Sequence, residues 1–176
     1  MPVIETGWPS GLMGRGVTSN DTPGQRKVVS YVTSAGVDTN EPQFWVRVYN
    51  GTGGTLTKYA CYMINWTGVA STGNPQIIAC TTSTPTREIV VATEAALTTA
   101  WTWVIHAGVC DALVDGTTDV AVSDFLKLTS GTSATAFIKD GTSYTTSSHA
   151  IAMAASTLDS ANQTKIYLIG GNHLVA

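Results

Sequence analysis

The sequence is short of charge. Only 12% of its residues are Asp, Glu, Lys or Arg, about half the usual share of a globular domain. Its nine Lys and Arg are dispersed and the formal net charge is −3. No basic row exists that could neutralise a run of phosphates, so nucleic acid is not an expected partner. No apolar run reaches the length of a membrane span. The opening MPVIETGWPSG carries neither a basic nor an apolar targeting stretch, so a secretory signal is not expected there. Sequons at Asn20, Asn50, Asn65 and Asn162 are chance matches in so Thr-rich a chain. Cysteine is scarce: Cys61, Cys80 and Cys110 form an odd set with no C-x-x-C. Three buried small apolar residues are the expectation, and a disulfide would need two of them on facing strands.

Catalytic patterns are missing too. No G-x-S-x-G elbow occurs, and no motif pairs a Cys with a His. The G-x-G at Gly14 to Gly16 lacks a preceding strand and a following helix, so it does not read as a phosphate-binding turn. His106, His149 and His173 are far apart, and a lone strand His is usually a satisfied or surface residue. Asp111, Asp115, Asp119 and Asp124 are spaced by four, four and five, unlike the alternating ligands of a calcium loop. Turn and capping roles fit them better. Glu88 and Glu94 could be imagined as a carboxylate pair, but nothing in their surroundings marks them as one. The chain is expected to be no enzyme and to use no cofactor and no metal.

What is abundant is Thr, at 28 residues, with 17 Gly. Thr is stiff at χ1 and suits the pleated surface of a strand, so the expected class is all-β. At 176 residues and 43% hydrophobic composition, one core is affordable. Short apolar runs recur at Val28–Val32, Gln43–Tyr49, Gln76–Thr81, Arg87–Val91 and Trp101–Val114. Four more follow at Phe125–Leu128, Ala134–Lys139, Ala150–Ala154 and Lys165–Ile169. Asn50 to Gly54 reads as a hairpin turn leading into a return strand, Leu56–Ile64. Asp115-Gly116, Ser130-Gly131 and Asp140-Gly141 read as further turns, and Gly108 as a bulge or bend. Thr93 to Leu97 is either one helical turn or plain connection. About ten short strands at this spacing imply a small barrel or sandwich.

Tryptophan carries a separate signal. Trp45, Trp66, Trp101 and Trp103 lie in or beside strands, and Trp101, Trp103 and Ile105 share one face. They could form an exposed platform for a glycan or partner, but core packing is the stronger expectation for Trp101 and Trp103.

Residues 1–27 hold three Pro and five Gly without periodicity, and are expected to form an extended N-terminal arm. Residues 28–176 are expected to form the β domain, with room for a sub-boundary near 95–100. The arm carries Val3, Ile4, Trp8, Leu12, Met13, Arg15 and Val17. An arm with such anchors lies either along another surface or back on its own domain.

The last eighty or so residues resemble the capsid cement (decoration) proteins of tailed bacteriophages. The resemblance is carried by the strand-bend-strand run from Trp103 to Val120, then Asp124-Phe125-Leu126-Lys127, then Lys139-Asp140-Gly141. It continues through Ile151-Ala152-Met153-Ala154 and closes on Ile166-Tyr167-Leu168-Ile169-Gly170. One departure is Ser123, where the pattern calls for Gly before Asp124. The resemblance implies a β-barrel or β-tulip-like sandwich on the outside of a mature phage head, a structural protein of the virion made in the host cytoplasm. It also implies contact with the major capsid protein at capsomer junctions and self-association, usually as a homotrimer and sometimes as a dimer. The seven arm residues would then be candidate capsid contacts. A carbohydrate- or receptor-binding β module displayed on a virion is the alternative that the tryptophans suggest.

Overall fold

The structure is a computed structural model and describes residues 24–33, 35–66, 75–80, 88–129 and 135–170. It is all-β, with ten strands in one sheet and no helix among the described residues. The strands are β1 (Arg26–Val32), β2 (Asp38–Asn50), β3 (Cys61–Asn65), β4 (Gln76–Ala79) and β5 (Ile89–Ala92). They continue as β6 (Trp101–Asp115), β7 (Phe125–Leu128), β8 (Phe137–Gly141), β9 (Ala150–Ala152) and β10 (Ala161–Leu168).

The sheet partly closes on itself, and β6 is the strand that closes it. Neighbours run β1-β2-β4-β3-β5-β6-β10-β9-β7-β8, with two added pairings, β2 to β6 and β6 to β8. One closed circuit therefore runs β2-β4-β3-β5-β6 and back to β2. A second runs β6-β10-β9-β7-β8 and back to β6, where Val114 meets Phe137. A strand of 15 residues serves both circuits only if it bends. The bend is a bulge: Phe44 pairs with Ala107 but Trp45 pairs with Ile105, leaving His106 as the extra residue. Gly108 completes it at φ +95°, with its Cα hydrogens against the Pro42 carbonyl; a Cβ there would lie 2.2 Å from that oxygen. The bend expected at Gly108 is present.

Alternation then sorts the side chains into two clusters. Along β2, Val46 and Val48 pack with Tyr62, Ile64, Ile77, Val90 and Val104 on one face of the first circuit. The opposite face carries Trp45, Met63, Val91 and Ile105, which join Leu126, Phe137, Ile166 and Leu168 of the second circuit. Both faces of the first circuit are thus buried, as its near-continuous apolar strands require. Lys27 seals part of this packing, its ammonium over the rings of Trp45 and Trp103 at 4.9 and 4.1 Å.

Several sequence expectations need correction. The expected hairpin does not form, because β2 pairs with β1, β4 and β6, and β4 separates it from β3. Asn50 explains why. Its side chain is fully buried and donates to the carbonyls of Gly54, Ala96 and Leu97, while its Oδ1 accepts from the amide and hydroxyl of Thr52. Asn50 therefore ties two loops together, and the return strand starts only at Cys61. β1 starts at Arg26, two residues ahead of the expected strand, with Arg26 and Lys27 paired to Val46 and Trp45. Asp140 and Gly141 end β8 instead of forming a hairpin turn. Thr93 to Leu97 is connection with a buried Ala96. Ser123, standing where the resemblance calls for Gly, adopts φ +74°, so the left-handed turn forms without its preferred residue. Ser130 and Gly131, expected to form a turn, lie outside the described residues.

Candidate functional site

The seven arm residues Val3, Ile4, Trp8, Leu12, Met13, Arg15 and Val17 lie outside the described residues. A candidate surface lies on the second circuit. Along β10, Thr164, Ile166 and Leu168 point into the core, so Gln163, Lys165 and Tyr167 point out. Tyr167 pairs with Ile151 on β9, and Ile151 pairs with Phe125 on β7. Tyr144, in the connection after β8, stacks edge-on against Phe125 with centroids 5.8 Å apart. Tyr144, Phe125, Ile151 and Tyr167 thus form an apolar row across the outside of three strands. Its two ends are open, Tyr144 at 50% and Tyr167 at 42% exposure.

The charges near this row are neutralised locally. Lys165 contacts Glu41 at 2.8 Å and lies over Tyr31, whose hydroxyl donates to Asp111. Burial and then the Asp111 carboxylate push the Tyr31 phenol up. Lys127 pairs with Asp140, which also accepts from the hydroxyls of Thr145 and Ser148. Lys139 pairs with Asp124 at 2.7 Å. Such a surface offers hydrophobic area and phenolic hydroxyls framed by paired charges.

The tryptophans divide. Trp45 and Trp103 are core residues. Trp101 is half-buried, edge-on to Tyr49 and under the Arg47 guanidinium. Core packing, expected for Trp101 and Trp103 alike, is therefore complete only for Trp103. Trp66 is 40% exposed. Its indole N–H donates to Glu88 Oε2 at 3.0 Å, and Arg26 sits 5.2 Å from its ring. The other Glu88 oxygen meets Nδ1 of His106 at 2.8 Å, and Phe44 abuts the His106 ring. His106 is thus a satisfied residue at the bulge.

No family model, curated protein or solved structure matches the chain.

The remaining candidates are dispersed. Glu94 accepts from Thr102, whereas Glu88 is engaged by Trp66 and His106, so the two carboxylates serve different partners. Asp115 caps the amide and hydroxyl of Thr117, and Asp124 caps the amide of Ala121. These two fill the turn roles expected of them, whereas Asp111 is a strand residue serving Tyr31. No group of three His, Cys, Asp or Glu placed to hold a metal occurs among the described residues. The three cysteines are buried thiols, as expected. The aromatic row was missed from the sequence because its four members are joined only by strand pairings between distant segments. The outward period-2 positions of β10 were the one available hint.

Proposed function

We propose that this chain is a non-catalytic cement subunit. It binds the outside of a mature phage capsid at capsomer junctions, contacts the major capsid protein and self-associates, most simply as a trimer. The observation that carries this role is the apolar row Tyr144, Phe125, Ile151 and Tyr167, open at both of its ends. It lies on the stretch whose turns and strands resemble capsid decoration proteins. Low charge density adds support, because such a surface associates readily. A ligand that binds only the expanded lattice stabilises it by mass action, and repeated copies multiply modest contacts through avidity.

The test mixes purified protein with undecorated, expanded phage heads. Saturable, stoichiometric binding is expected, and Tyr167→Asp should lower the affinity at least tenfold while the protein stays folded. Equal binding to unrelated particles, or none to the heads, would overturn the proposal.

A carbohydrate-binding role on the virion is the second reading, favoured by the exposed Trp66 indole beside Glu88 and Arg26. A screen of soluble glycans for indole fluorescence changes lost in Trp66→Ala would support it. No change across the panel removes it.

A further inference from the structure

The antiparallel ladder of β3 and β4 runs from Asn65↔Gln76 to Tyr62↔Ala79. One further step of that register sets Cys61 opposite Cys80. Both residues are buried, and their side chains belong to the same cluster. Directly opposed residues on antiparallel strands lie about 4.5–5.5 Å apart at Cα, inside the range of about 4.4–6.8 Å that a disulfide spans. Cys61 donates its amide to the Thr135 carbonyl, outside the β3–β4 ladder. The strand end is therefore anchored by a third segment while the thiols face each other.

We propose that Cys61 and Cys80 are a disulfide-forming pair, oxidised by a low-molecular-weight disulfide, with Cys110 excluded. The reaction is two exchanges. One thiol of the pair, as thiolate, attacks the small disulfide and forms a mixed disulfide, expelling one small thiolate that takes up a proton. The second thiol, deprotonated, attacks its neighbour's own Sγ in that mixed disulfide, forming the Cys61–Cys80 bond and expelling the second small thiolate, which takes up a proton. The pair loses two electrons and two protons, and the small disulfide is reduced to two thiols.

Cys110 is the internal control. It is as deeply buried as the other two, and it projects from β6 beside Ala112 and Val114. Burial pushes the Cys61 thiol up first, with the neighbouring Cys80 adding to it; burial also raises Cys110. Neither is a reactive surface thiol, so exchange proceeds through local opening or during folding. Once formed, the bond staples β3 to β4 and closes the segment 62–79, which carries Trp66. A loop of this length should lower the unfolding equilibrium constant on the order of 100-fold. The proposal does not depend on the function proposed above.

The experiment equilibrates the folded protein with oxidised glutathione at mildly alkaline pH, quenches with acid, alkylates remaining thiols and maps the peptides. One linked peptide containing Cys61 and Cys80 is expected, with Cys110 alkylated and a rise in the unfolding midpoint that a reductant reverses. The same sample oxidised in denaturant should give a mixture of pairings, showing that selection comes from the fold. Three alkylated cysteines at equilibrium, or a native linkage that includes Cys110, would overturn the proposal. Because the measurement is made on the unsubstituted protein, no variant needs to fold.

Discussion

At the scale of single residues, two positions show local conformation and charge at work. Ser123 holds φ +74°, is exposed, and uses its amide to reach the Ala152 carbonyl. A side chain in the left-handed region costs about 1–2 kcal/mol, which glycine avoids at the expense of greater freedom in the unfolded chain. Ser123→Gly should therefore raise stability by roughly 0.5–1 kcal/mol in urea unfolding; a loss would mean the hydroxyl contributes more than the backbone strain. Asp124 is the second case. The neighbouring Lys139 ammonium, then the Ala121 amide, hold its carboxyl below the usual carboxylate range. Its folded pKa lies below its unfolded one, so as pH falls the unfolded chain takes up the proton first. The stabilisation is present above the unfolded value of about 3.9 and is lost as pH drops through the folded value. Asp124→Asn should thus be less stable than the parent at pH 7 and show a shallower loss in acid, the two curves converging at low pH. The slope will not vanish, because Glu41 is held low chiefly by Lys165 and Asp115 chiefly by the Thr117 hydroxyl. Parallel curves from pH 7 to acid would show that the Lys139 pair contributes nothing to the pH dependence.

At the scale of elements, Asn50 decides what the sequence around it becomes. The Asn-Gly dipeptide after an alternating strand has the chemistry of a two-residue hairpin, and composition offers nothing to contradict that expectation. The deciding contacts are with Ala96 and Leu97, more than forty residues away. Burying the carboxamide among three carbonyls turned a turn residue into a tie between loops. Asn50→Ala leaves those carbonyls short of a donor and should cost about 2–3 kcal/mol, whereas Asn50→Asp should be worse, since it faces carbonyls with an acceptor. Equal stability of Asn50→Ala and the parent in denaturant titration would reassign the loop to other contacts. Features that depend on neighbours along the chain were legible in the sequence: β7 within its limits, the Trp101–Ile105 alternation, and the bend at Gly108. Features set by pairing were not. These include the order of β2, β4 and β3, the row across β7, β9 and β10, and the facing positions of Cys61 and Cys80.

At the scale of the whole molecule, the shared strand makes a claim about cooperativity. β6 gives Trp101 to Gly108 to the pairing with β2 and Gly108 to Asp115 to the pairing with β10, so the two ladders share Gly108. The larger cluster crosses the same line, with Trp45 and Trp103 from one circuit packed into a core that includes Leu126, Phe137 and Ile166 from the other. Neither circuit can open without losing a strand or a core face that the other needs, so the two should unfold in one step. Leu126→Ala tests this, because the residue is fully buried on β7, far in sequence from the tryptophans. Truncating a buried Leu costs about 2–5 kcal/mol. If the core is common, indole fluorescence from Trp45 and Trp103 and the far-ultraviolet β signal should shift together and remain superimposable in denaturant. If the circuits are independent, the far-ultraviolet signal will show an early partial loss while indole fluorescence keeps its original midpoint, and β6 will prove to be a linker between two units.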